Sequence, residues 1–211
     1  MLDVKIPIQK TTQSRLPQVD FDDIQFGKIY ADHMLVADCI DGVWQECRIE
    51  PFANMPLSPA TSALHYGQAI FEGMKAYRKA DGNIAIFRPD ENFKRFNASA
   101  ERICMPPVPE HIFLEGLAEL IRLDRDWVPD RPGCALYIRP FMFATDEYIG
   151  LRPSGNYRFI IFNSPVGAYY SEPVRVKIET HFTRAAAGGT GFAKTAGNYA
   201  ASLYPAKLAQ Q

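Results

Sequence analysis

The sequence predicts a mixed fold, α+β or α/β in class, with one sizeable domain followed by the opening of a second. Three observations predict it. Apolar stretches fold back on themselves across Asp41-Gly42 and across Ala80-Asp81-Gly82-Asn83, the turn chemistry of β-hairpins. Two mid-chain stretches carry apolar residues at helical spacing. "NSPVGAYYSEP" (Asn163 to Pro173) holds prolines, a glycine and serines between strand-like runs, as an interdomain linker does.

Taken in order, residues 1 to about 20 read as an arm. "KIYADHMLVADCI" (Lys28 to Ile40) mixes apolar and polar residues as a strand does, and "VWQECRIEPF" answers it across the Asp-Gly turn. "MKAYRKADGNIAIF" repeats the device. In "RPDENFKRFNASAERICMPP", Pro89 and Asp90 suit a helix start, Phe93, Phe96, Ala100 and Ile103 fall on one face, and Pro106-Pro107 ends the run. "PEHIFLEGLAELIRLDRDWVP" is a second amphipathic helix, with Leu114, Leu117 and Ile121 on its apolar face. Three strand-like runs follow: "ALYIRPFMFA", "YRFIIFNS" and "VRVKIET". The domain expectation is therefore residues 1–162, a linker at 163–173, and the beginning of a second domain at 174–211, too short for a core of its own.

Composition narrows the function. The chain has 211 residues, 47% of them hydrophobic, enough to bury a large core. Its net charge of -1 gives no pull toward nucleic acid or an anionic membrane. The N-terminus has no signal-peptide core, and no apolar run reaches the roughly 18 residues of a membrane span. Cys39, Cys47, Cys104 and Cys134 form no CxxC pair, so no metal site is expected, and scattered free thiols fit a reducing cytoplasm. His33 and His65 have no acid-plus-nucleophile company and read as structural.

The chemistry concentrates in "RAAAGGTGFAKTAGNYAASL". Lys194 lies between Gly188, Gly189 and Gly191 on one side and Gly197 on the other, and no Asp or Glu follows Glu179. Glycines let a backbone approach a ligand and offer N–H groups to an anion. Phe192 and Ala193 are expected to desolvate the amine, which favours its nucleophilic form. A lysine so prepared suits imine chemistry with a carbonyl compound. That carbonyl belongs either to a sugar or keto acid, or to pyridoxal phosphate, which also needs a phosphate clamp.

Four motifs, "FGKIYADHM", "LHYGQAIFEGMKAY", "LYIRP" and "GGTGFAKTAGNYAASL", stand in order with matching spacing from Phe26 to Gln211. Together they resemble a branched-chain amino acid aminotransferase, a pyridoxal 5'-phosphate enzyme of fold type IV. The resemblance implies a small α/β domain, a short linker, a larger cofactor-binding domain and a cytoplasmic homodimer. It implies amino-group transfer between Leu, Ile or Val and 2-oxoglutarate, as in branched-chain amino-acid biosynthesis. Its relatives, D-amino acid aminotransferases and aminodeoxychorismate-lyase-like proteins, share the fold, and "LYIRP" favours the branched-chain group over them.

By this resemblance Lys194 is the Schiff-base lysine and proton shuttle, and Tyr199 bonds the cofactor's ring hydroxyl oxygen. Arg95 matches the phosphate-clamping arginine, and Arg184 lies near the phosphate or braces the loop. Phe26, Tyr66 and Tyr137 match aromatic walls of the substrate pocket, and Arg139 an arginine that helps place the distal carboxylate of glutamate. Ile149 and Leu151 match a loop that reaches into the partner subunit's site. The family's pyridine-nitrogen carboxylate and further phosphate ligands correspond to positions past Gln211. The expectation is thus a small domain plus the opening of the large one, and a 211-residue chain that is inactive, or a non-catalytic fragment, by itself.

Overall fold

The computed structural model describes residues 6–167 and 173–210. The strands are β1 (His33–Ile40), β2 (Val43–Trp44), β3 (Arg48–Pro51), β4 (Ala69–Phe71), β5 (Met74–Arg78), β6 (Ile84–Ile86), β7 (Ala135–Ala144) and β8 (Tyr157–Val166). The helices are α1 (Ser62–Tyr66), α2 (Pro89–Arg102), α3 (Gly116–Leu123), α4 (Ala196–Ala200) and α5 (Leu203–Ala209). All eight strands join one antiparallel sheet in the order β2-β1-β8-β7-β5-β6, with β3 also paired to β1 and β4 to β7.

The turns form as the sequence requires. Asp41 (φ 48°) and Gly42 (φ 77°) are both left-handed, the backbone that a two-residue hairpin needs to match strand twist. α2 begins at Pro89, where the missing N–H of proline removes nothing, and stops at Arg102, ahead of Pro106-Pro107. The second predicted helix is divided. A π-helical turn, His111–Glu115, runs into α3, and a 3-10 turn follows at Arg125–Trp127.

Alternation along the strands splits the sheet into two faces. Leu35, Ala37, Leu136, Ile138, Met142, Phe159 and Ile161 face α2 and α3. There Phe113 and Phe159 stack and Phe96 meets both edge to face, with centroids 5.4–5.6 Å apart. Met34, Val36, Phe143 and Ile160 form a smaller cluster on the other face, with Phe52, Phe141 and Phe162 packed against it. Tyr137 and Arg139 share that second face by the parity of β7.

The N-terminal arm is tied to the sheet by buried polar groups. The Thr11 N–H donates to His33 Nε2 (2.9 Å), which fixes the ring proton on Nδ1, donated to Asp124 (2.6 Å). Asp32 accepts from the Arg15 N–H, the Ser14 hydroxyl and the Trp127 indole. His33 is thus structural, as its sequence context suggested.

Three expectations change. The first strand starts at His33 rather than Lys28, because Asp32 and its neighbours are engaged by the arm. The run "YRFIIFNS" continues to Val166, so Asn163–Val166 at the head of the expected linker pair with Ala135–Ile138. Residues 168–172 of that linker lie outside the described residues. "VRVKIET" forms no strand. Val174, Val176 and Ile178 are 54%, 89% and 87% exposed, and among the described residues no strand lies beside them to complete a ladder.

Candidate active site

The glycine loop is held from two sides. Gly188 (φ 75°) takes a left-handed conformation, and the Arg102 guanidinium at the end of α2 donates to the Gly188 and Gly189 carbonyls (3.2 Å each). Buried Asn198 in α4 donates to the Thr190 and Ala193 carbonyls (2.7 and 2.8 Å) and accepts from the Thr190 hydroxyl (2.8 Å). The turn is therefore closed by side chains, not left as an open loop.

Lys194 emerges from this turn with its main chain clamped. Its N–H donates to Ser99 Oγ (2.9 Å) in α2, and its carbonyl accepts from the Phe71 N–H (3.1 Å) at the end of β4. The Thr195 hydroxyl donates to the Ala69 carbonyl (2.9 Å). The lysine root is thereby fixed between a helix and a strand that lie far from it in sequence.

The ammonium end is equally defined. Lys194 Nζ lies 3.0 Å from the Tyr199 hydroxyl, its one polar side-chain partner among the described residues, and 4.4 Å from the centre of the Phe71 ring. The Phe71 and Tyr199 rings are 4.7 Å apart. Arg139 stands over the same Phe71 ring at 4.6 Å and donates from Nη2 to the Tyr137 hydroxyl (3.0 Å). Tyr137 meets Phe26 edge to face at 5.5 Å. Arg139 Nε is buried with no hydrogen-bond partner among the described residues.

Lys194, Tyr199, Arg139, Tyr137 and Phe26 thus form one continuous set around Phe71. Arg95 adjoins it from α2, where its Nε and Nη2 bind both oxygens of Glu72 (2.5 and 2.9 Å). Four further residues singled out from the sequence lie elsewhere. Arg184 is exposed and makes no hydrogen bond or ion pair among the described residues. Tyr66 and Leu151 line a separate surface cavity of about 380 Å³ beside Arg102 and Cys104. Ile149 is 72% exposed. A larger open cavity of about 730 Å³ lies near Asp38 and Asp146, which pair with Arg158 and Arg152 respectively.

Of the two apolar neighbours singled out from the sequence, Ala193 is buried, while Phe192 is 70% exposed with its ring centre 6.0 Å from the Arg102 guanidinium; the rings nearest the amine are Phe71 and Tyr199. Phe71, Glu72, Ser99, Arg102 and Asn198 were not singled out from sequence. Phe71 and Glu72 lie inside "LHYGQAIFEGMKAY", but only the pairing of β4 with β7 decides which of them faces Lys194.

Residues 69–211 match the model of the amino-transferase class IV family. The chain belongs to that family. It is 50% identical over 191 residues to branched-chain-amino-acid transaminase 1 of Bacillus subtilis (strain 168), covering 88% of this chain and 54% of that protein. It is 44% identical over 204 residues to branched-chain-amino-acid aminotransferase 2 of the same organism, covering 95% and 56%. This class IV aminotransferase chain therefore spans about half the length of the curated relatives it matches. Its fold is similar to that of the Thermoproteus uzoniensis branched-chain aminotransferase solved with norvaline. The TM-score is 0.62 at 25% identity, over 82% of this chain and 54% of that one. A second branched-chain amino acid aminotransferase, solved with pyridoxamine 5'-phosphate, gives a TM-score of 0.60 at 30% identity, over 80% and 53%.

Proposed function

We propose that the protein is a pyridoxal 5'-phosphate-dependent enzyme that transfers an amino group between branched-chain L-amino acids and 2-oxoglutarate. The observation that carries the reading is the Lys194 amine, held 3.0 Å from the Tyr199 hydroxyl on an aromatic floor, with no carboxylate bonded to it among the described residues. The branched-chain names of the relatives support the substrate class.

The residues present fit the cofactor. An amine without an ion pair is free to react with an aldehyde, a phenol beside it offers a hydrogen bond to a ring hydroxyl, and the Arg95 side chain is 56% exposed at the edge of the set, where a phosphate can reach it. When bound, pyridoxal phosphate supplies a carbonyl that exchanges amino groups and a ring that withdraws electrons from the substrate Cα. Lys194, Tyr199 and Arg95 are the residues assigned to hold it, and Arg184, exposed and apart from them, is not among them.

The protein's own side chains do the rest. Lys194 Nζ takes the proton from the substrate Cα and returns it, and the Tyr199 hydroxyl orients that amine by hydrogen bonding. Phe26 and Tyr137 wall one side of a branched aliphatic side chain, and Tyr66, in its separate cavity, is not part of that wall. The Arg139 guanidinium is the donor assigned to the distal carboxylate of glutamate. The same reading assigns Ile149 and Leu151 to a loop serving the second active site of a cytoplasmic homodimer.

The test is an amino-donor screen of the full-length protein with L-leucine, L-valine, L-isoleucine and D-alanine, scored by glutamate formed from 2-oxoglutarate. Turnover of the three L-amino acids, abolished by Lys194→Ala, is expected. Turnover of D-alanine alone assigns the protein to a D-amino acid aminotransferase instead, and normal turnover by Lys194→Ala moves the chemistry to another residue.

A further inference from the structure

Phe71 ends β4 and Glu72 follows it, its N–H donating to the Pro140 carbonyl of β7 (2.8 Å), and their side chains leave on opposite sides of the sheet. Phe71 faces Lys194 and Arg139. Glu72 faces α2 and is fully buried. A buried carboxylate is retained only where it is paired and its lone pairs are filled. Glu72 meets that condition four times over. Oε1 accepts from Arg95 Nε (2.5 Å), and Oε2 accepts from Arg95 Nη2 (2.9 Å), Asn92 Nδ2 (2.7 Å) and the Gly73 N–H (3.0 Å).

The pair is lopsided. The Glu72 side chain is 0% exposed and the Arg95 side chain 56%. The carboxylate grips one edge of the guanidinium from below, and the remaining Nη1 edge has no hydrogen-bond partner among the described residues. One turn further along α2, Ser99 accepts from the Lys194 N–H and donates to the Arg95 carbonyl (2.9 Å). The cationic edge and the lysine are therefore suspended from the same helix.

We propose that Glu72 is a positioning residue that holds Arg95 as the anion clamp, orienting its free edge toward a phosphate. This rests on the reading of Arg95 given under the proposed function. An arginine has four side-chain torsions to freeze before it can bind an anion bidentately, and a buried partner freezes them in advance. The opposite role is equally explicit physically: a carboxylate that merely neutralised Arg95 would compete with phosphate. The two roles give opposite signs on removal.

The experiment compares dissociation constants of pyridoxal 5'-phosphate and of pyridoxal, which lacks the phosphate, by quenching of protein fluorescence in the full-length apo-protein. The ratio of the two constants is the phosphate selectivity, and a general loss of stability leaves it unmoved. Arg95→Ala is expected to collapse the ratio. Glu72→Gln is expected to lower it about tenfold, the scale seen when an outer partner of a binding residue is removed. The double variant is expected to fall no lower than Arg95→Ala alone. Glu72→Asp, which keeps the buried charge but withdraws it from the guanidinium, is measured alongside and decides the matter if Glu72→Gln does not fold; it too is expected to lower the ratio. Unchanged or increased selectivity in the Glu72 variants, with selectivity lost in Arg95→Ala, overturns the positioning role and leaves the clamp standing. Unchanged selectivity in Arg95→Ala overturns the clamp itself, whatever Lys194 does.

Discussion

At the scale of single residues, Phe71 connects the two cations of the site. Lys194 and Arg139 approach its ring at 4.4 and 4.6 Å, so one aromatic ring holds both side chains. The neighbouring Gly73 sets how closely that arrangement can pack, since a Cβ there would overlap the Tyr137 hydroxyl that binds Arg139. Gly73→Ala should therefore displace Tyr137 and free Arg139. The expected outcome is a KM for 2-oxoglutarate raised about tenfold with a smaller change for L-leucine, and an overpacking penalty of about 1–3 kcal/mol, read from steady-state kinetics and thermal unfolding. Lys194 was singled out by its glycine-rich setting and Tyr199 by the motif resemblance, and the two lie five positions apart across a helix start. Phe71 and Glu72 were not singled out. Their roles come from strand pairing and alternation, and nothing in "AIFEGM" says which side each faces until β4 is laid against β7.

At the scale of elements, α2 presents two stripes. Its apolar stripe, with Phe96 and Ala100 buried and Phe93 and Ile103 beside them, was readable from the helical period. Its polar stripe, Arg95, Ser99 and Arg102, reaches Glu72, the Lys194 main chain and the glycine loop in turn. Those partners lie as many as 95 positions away, and no helical pattern encodes them. Ser99→Ala should leave the Lys194 N–H without an acceptor at a cost of about 1–3 kcal/mol. Faster amide hydrogen exchange at residues 188–195 is expected, with the exchange of β7 and β8 unchanged. The failure of "VRVKIET" to become a strand has the complementary cause. Its alternation is right, but strand structure is a property of pairs, and among the described residues its edge finds no partner.

At the scale of the whole molecule, the arm, sheet and helices meet at Asp32. Burial alone would raise its carboxyl. Hydrogen bonds from the Arg15 N–H, Ser14 and Trp127, with the Arg15 charge, outweigh that and hold it below the usual range. A depressed folded pKa means stability that is fully present above the unfolded value, about 3.9, and lost as pH falls through the folded one. Asp32→Asn should therefore cost about 1–3 kcal/mol near neutral pH. The difference in Tm between it and the unaltered protein should shrink as pH is lowered from 6 toward 3; a constant gap would assign the loss to packing rather than charge.

The same architecture has a consequence in time. β1 is flanked on one side by strands made just after it and on the other by β8, and the Asp38–Arg158 pair that ties β1 to β8 spans 120 positions. At a synthesis rate of roughly 5–20 residues per second, β1 and its β2–β3 partners wait roughly 6–24 s on the ribosome before the strand that completes them exists. Throughout that interval the edge of β1 that Tyr157–Phe162 will occupy is unpaired. Emergence of Tyr157–Val166 is thus the event that turns a nascent hairpin, β1 against β2 and β3, into a domain.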